Sequence, residues 1–190
     1  MRTPLLCLAI AFSVGATAQL PGYVPTSGLV AWYPLNNSVT DASGNGLNGT
    51  ANYTQAAMDR FAVPNGATDF FFASASVSTS PLFNTGAGMT VSAWVNLSDP
   101  SQNQKVMGRV NGSFNSGFIL GVENGQLHPE VWNSAGEAHA FDAGTIPSNT
   151  WTHVAITWAT NGYLVAYVNG AAADSIAAGS LPIGTNSEPL

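Results

Sequence analysis

Charge is what this sequence has least of. Only 7% of its 190 residues are Asp, Glu, Lys or Arg, against about 25% in an average soluble domain. The bases are the scarcer sign: Arg2, Arg60, Lys105 and Arg109 face ten acids. Such a surface lacks the basic patch that nucleic acid or an anionic membrane requires, so neither is an expected partner. Neutral glycans and divalent cations remain compatible with it. Cysteine is nearly absent too. Cys7 is the only one, so no disulfide is available, and packing or a metal must hold the fold. No segment carries a helical hydrophobic period and no internal repeat is visible. Catalytic patterns are missing as well. There is no Gly-x-Ser-x-Gly elbow, no cysteine nucleophile, and no Glu-x-Asp-x-x-Glu strand to supply the carboxylate pair of a glycosidase. His128, His139 and His153 share no His-x-His or His-x-x-x-His spacing, which argues against a zinc site built on paired histidines.

What is present is turn chemistry and strand-forming residues. Residues 1–18 read as a secretory signal peptide: Arg2, then the apolar stretch 5–14, then Ala16-Thr17-Ala18 as a small-residue cleavage site. The stretch is too short to span a bilayer, which takes about 20 residues. Secretion is therefore the expected localisation, with no membrane insertion. Residues 19–27 form a Pro/Gly-punctuated lead-in and residues 28–190 one domain. Residues 151–170, WTHVAITWATNGYLVAYVNG, predict a β-hairpin turning at Thr160-Asn161-Gly162, with a second turn at Asn169-Gly170. Val154, Ile156 and Trp158 lie on one parity; Tyr163, Val165 and Tyr167 share a parity in the next strand. Apolar residues on both parities of these strands belong in a layered sheet structure. Further strands are predicted at 28–35, 69–78, 90–97, 105–109, 117–122, 126–132 and 138–141, while 51–64 is ambiguous. Short strands separated by turn signals at this spacing indicate an antiparallel β-sandwich.

The segments GLVAWYPLNN, DASGNGLNGT, MTVSAWV, WTHVAIT and YLVAYVNG, in that order, resemble the laminin-G-like jelly rolls of the concanavalin A-like lectin/glucanase superfamily, as found in secreted bacterial multidomain proteins. The resemblance runs from about Gly28 to Leu190. It implies an all-β, two-sheet antiparallel jelly roll and other domains on the same polypeptide. Two departures stand out. Phe71-Phe72-Ala73 replaces the Asp-Gly common after the second conserved strand. The chain also ends at Leu190, where the family continues into further strands, so the resemblance implies a domain lacking its last strands.

The polar loop 36–50 is the first candidate site. Calcium takes six to eight oxygen ligands, and Asp41 stands there among Asn37, Ser43, Asn45 and Asn48 on a glycine-rich backbone. The resemblance also implies a structural calcium in this loop. The competing reading has Asp41 and Asn45 making Asx-turns alone. For sugar contact, Trp132, Tyr163 and Phe114 are the candidates, since they fall at loops or strand ends and aromatic faces stack on apolar sugar faces. Trp32, Trp94, Trp151 and Trp158 fall within or beside strands and read as core. Glu123, Glu130 and Glu137 read as solvated loop carboxylates. The expected function is a non-catalytic extracellular binding module for a glycan or another extracellular surface. Two alternatives stay open: an accessory domain of a secreted glycoside hydrolase or protease whose catalytic domain lies beyond Leu190, and an adhesive spacer without a sugar site.

Overall fold

The computed structural model describes residues 20–190; the signal peptide expected at residues 1–18 lies outside them. The strands in chain order are β1 (Gly49–Asn52), β2 (Gln55–Ala57), β3 (Ala67–Asp69), β4 (Ser74–Val77), β5 (Gly88–Val95), β6 (Gln104–Val110) and β7 (Gly117–Glu123). They continue with β8 (Gln126–Trp132), β9 (Ala138–Ala140), β10 (Ala143–Thr145), β11 (Thr152–Ala159), β12 (Tyr163–Val168) and β13 (Ala171–Ala177). All paired strands are antiparallel. One sheet runs β13-β12-β11-β5 and the other β10-β8-β7-β6, with β9 also on β8. Two small ribbons, β1-β4 and β2-β3, stand beside them.

The sandwich follows from side-chain alternation. In β5, Met89, Val91 and Val95 are buried while Thr90, Ser92 and Trp94 face out. Val154, Ile156 and Trp158 of β11 and Leu164 and Ala166 of β12 are buried, and meet Phe118, Leu120 and Val122 of β7 and Leu127 and Val131 of β8 in one core. Each such side chain contributes roughly 1.5–3 kcal/mol by leaving water. The parity of Tyr163, Val165 and Tyr167 is thus the outer one.

Four local expectations are corrected. Residues 28–35 belong to no strand. Their polar groups are met by side chains instead: the Trp32 amide donates to Asp41 Oδ1 at 3.0 Å, and Asn45 Nδ2 donates to the carbonyls of Leu29 and Val30, each at 2.9 Å. The segment 69–78 is not one strand but β3 and β4, broken by a turn in which Phe72 takes φ 51°. β10 and β13 form outside the predicted strands, being short or alanine-rich and so without a clear period-two signal. Finally, Asn124-Gly125 and Asn169-Gly170 are two-residue turns with both φ positive, but at residues 160–162 only Asn161 is left-handed. That hairpin closes through a three-residue turn.

Candidate functional site: a polar hollow between three loops

The β6–β7 loop is shaped by its own amides. Asn111 Nδ2 donates to Asn115 Oδ1 at 2.6 Å and the Asn115 amide donates back to Asn111 Oδ1 at 3.0 Å. This ring of bonds lifts Phe114, whose φ is 50°. The loop ends on Gly117 at φ 105°, where any Cβ would run into the Arg109 carbonyl, so only glycine fits. The β8–β9 loop is built the same way around buried Asn133. Its Oδ1 accepts from the Ala135 and Glu137 amides, and its Nδ2 donates to Glu137 Oε2 at 2.7 Å. A third segment crosses between them: the Gly184 amide donates to the Trp132 carbonyl and Asn186 Nδ2 to the Ser116 carbonyl.

The three loops enclose an open hollow of about 340 Å³, lined by Asn111, Asn115, Ser116, Asn133, Ser134 and Thr185 among others. That volume lies at the small end of the usual ligand range of about 300–1,000 Å³. Because the lining amides are fixed by local hydrogen bonds, the hollow is formed in advance and a ligand need not order it.

The predicted aromatic residues separate. Phe114 is 52% exposed in the β6–β7 loop, next in sequence to Asn115 of the lining though not itself part of it, with its ring 6.2 Å from that of Trp132. Lys105 Nζ sits 5.1 Å from the Phe114 centroid. Trp132 itself is corrected: it is only 5% exposed, roofed by the loop, and supports Phe114 rather than offering a face. Tyr163 is exposed, but on the outer face of the other sheet, and does not line the hollow. Trp94, read from sequence as core, is 43% exposed. It stands on the outside of β5, where the Arg60 guanidinium lies 4.4 Å from the Phe61 centroid and 4.6 Å from that of Trp94, with the His153 ring 5.4 Å away. Burial, assisted by the Arg60 charge, lowers the His153 pKa, which favours its neutral form. Strand alternation hid Trp94, since a tryptophan reads as core whichever face it is on.

The calcium reading meets a saturated carboxylate. Asp41 Oδ1 accepts from the amides of Trp32 (3.0 Å) and Ser43 (2.8 Å). Its Oδ2 accepts from Ser43 Oγ (2.8 Å) and the Leu47 amide (3.0 Å). Burial raises the Asp41 pKa, but these bonds outweigh it and hold the carboxyl below its ordinary value. Burial and the Asp41 charge push the neighbouring Tyr33 phenol up to about 12. Asn45 directs its amide to residues 29 and 30, and Asn37 is exposed at φ 56° without a side-chain bond to Asp41. Four donors fill the carboxylate, and cations need lone pairs, so this arrangement does not fit calcium.

A family model described as the concanavalin A-like lectin/glucanases superfamily, of laminin-G type, matches residues 72–190. No curated protein matches the chain. Among solved structures, it is similar to the botulinum neurotoxin serotype D binding domain, at 16% identity over 86% of this chain and 42% of that one, with a TM-score of 0.65. It is also similar to the binding domain of Paraclostridial Mosquitocidal Protein 1, at 18% identity, 79% and 40% coverage, and a TM-score of 0.59. A third is the binding domain of botulinum neurotoxin DC in complex with rat synaptotagmin II, at 15%, 80% and 40%, with a TM-score of 0.58. The chain spans about two fifths of the length of these structures, and at such identities the likeness is one of fold. With its two antiparallel sheets and the family match over most of its length, the chain belongs to the concanavalin A-like lectin/glucanases superfamily.

Proposed function

We propose that this chain is a non-catalytic, secreted recognition module that holds a neutral glycan in the hollow between the β6–β7 loop, the β8–β9 loop and residues 184–186. The observation that carries the reading is the hollow's lining. Its polar side chains are neutral amides and hydroxyls, which donate and accept as sugar hydroxyls do, and the half-exposed ring of Phe114, adjacent in the chain to Asn115 of the lining, is the aromatic that would meet an apolar sugar face. Fold likeness to binding domains of toxins is compatible with this but does not carry it.

Affinity electrophoresis of the folded chain through neutral polysaccharides tests it. Retardation is expected, and Phe114→Ala should weaken it about tenfold while Tyr163→Ala leaves it unchanged. Equal retardation by wild type and Phe114→Ala overturns the site, and hydrolysis of the polysaccharide overturns the non-catalytic reading. A second reading, docking of a protein surface, is favoured by the exposed Phe61, Arg60 and Trp94 stack. Loss of cell-surface binding on Trp94→Ala alone would support it.

A further inference from the structure

The β7–β8 hairpin turns at Asn124-Gly125, with Gly121 opposite His128 and Glu123 opposite Gln126. Period-two alternation sends His128 and Glu130 to the outer face of the sheet. Glu123 joins them as the diagonal neighbour of His128. Gly121 has no side chain, so the sheet dips there into a depression of about 110 Å³ bordered by all three. One ligand atom from each of Glu123, His128 and Glu130 lies within 4.8 Å of the others.

From this constellation we propose a binding site for one divalent transition-metal ion of the zinc class. Three observations carry it. First, His128 Nδ1 lies 2.7 Å from Asp142 Oδ1. An ionised carboxylate only accepts, so Nδ1 is the donor, and Nε2 is the nitrogen that the neutral imidazole offers to a metal. A carboxylate orienting a ligating histidine is a recurrent outer shell of metal sites. Second, Glu123 and Glu130 are half-buried side by side, and among the described residues neither carboxylate accepts a hydrogen bond or forms a salt bridge. The contrast with Asp41, whose oxygens are all taken, is direct. Third, Lys105, the one lysine or arginine among the described residues bordering the depression, forms no salt bridge with either glutamate and keeps its ammonium 5.1 Å from the Phe114 centroid.

An ion about 2.0–2.2 Å from each ligand would draw the flexible glutamates inward and keep a fourth position for water. One imidazole with two carboxylates favours zinc over calcium, which prefers an all-oxygen shell. The site lies away from the loop end of β6, β7 and β8, and its success or failure is separable from that of the glycan hollow.

The test is calorimetric titration of the chelator-stripped full chain with zinc chloride. One equivalent should bind and the melting temperature should rise. His128→Ala and Glu130→Gln should each weaken binding at least about tenfold, and Asp142→Asn by roughly 10–100-fold. His153→Ala should leave it unchanged. Circular dichroism checks the fold of each variant, and the near-isosteric Glu123→Gln repeats the test with minimal structural change. Absence of zinc uptake at micromolar concentration, or wild-type affinity in both His128→Ala and Glu123→Gln, overturns the proposal.

Discussion

Two residues carry local strain or local charge that can be read out one at a time. Phe72 sits at φ 51° and is 89% exposed, so it bears a left-handed backbone of the kind glycine adopts freely while burying little. The left-handed conformation costs an L-residue about 1–2 kcal/mol, partly offset by the entropy a glycine would lose and by the ring contact with Phe71. Phe72→Gly should therefore raise the melting temperature by about 2–4 °C in a scanning calorimeter; a fall would mean that the aromatic contact outweighs the backbone. Asp41 is the opposite case, a buried carboxylate stabilised by four donors. Its pKa lies below the ordinary 3.8 in the folded chain. Its contribution is thus complete above that ordinary value and is lost as pH falls through the native one. Asp41→Asn turns an NH₂ toward those donors and should cost about 2–3 kcal/mol at neutral pH. Urea melts below pH 4 should show the gap between wild type and variant closing. Added calcium should shift neither protein, and a calcium-induced rise abolished by Asp41→Asn would restore the metal reading.

Among the elements, the C-terminal segment shows how one side chain ties extended chain to a sheet. Arg109 of β6 is buried. Its Nε donates to the Glu188 carbonyl and Nη1 to Asn84 Oδ1, each at 2.8 Å, and Nη2 donates to the Asn186 carbonyl. Leu190 in turn exchanges backbone bonds with Val77 of β4. Lysine keeps the charge but not the planar fork. Arg109→Lys should cost about 2–3 kcal/mol and speed amide exchange at Val77 while leaving that of buried Leu120 governed by global opening. Equal acceleration at both amides would mean that the segment and the sheet open together. Residues 28–35 teach the converse lesson. Their alternation reads as a strand, yet a strand needs a neighbour, and side chains of the 41–47 loop take up their carbonyls and amides instead. Periodicity specifies which faces are apolar. It does not specify what lies alongside.

At the scale of the whole molecule, the sheet of β6, β7 and β8 places different chemistry at its loop end and on its outer face. The loops after β6 and β8 and before β7 gather the amide-lined hollow, and the outer face of β7 and β8 gathers the Glu123, His128 and Glu130 cluster. The sequence determined the class of fold, because scarce charge, Asn-Gly turns and period-two strands leave few other ways to bury Val154, Ile156 and Trp158. It also determined that Phe114 would sit on a turn, since the surrounding asparagines and glycine prefer one. The cluster goes unread in the sequence, where Glu123 and Glu130 pass as solvated loop carboxylates, although the signal for it is present. His128-x-Glu130 shares a face by alternation, and Asn124-Gly125 fixes the register that brings Glu123 back beside them. Tertiary structure alone decided the rest. Whether a tryptophan faces core or solvent depends on which sheet surface is covered, so Trp94 and Trp132 exchanged their expected places. Whether a carboxylate can take a cation depends on how many donors the fold has already turned toward it, and among the described residues folding turned four toward Asp41 and none toward Glu123 and Glu130.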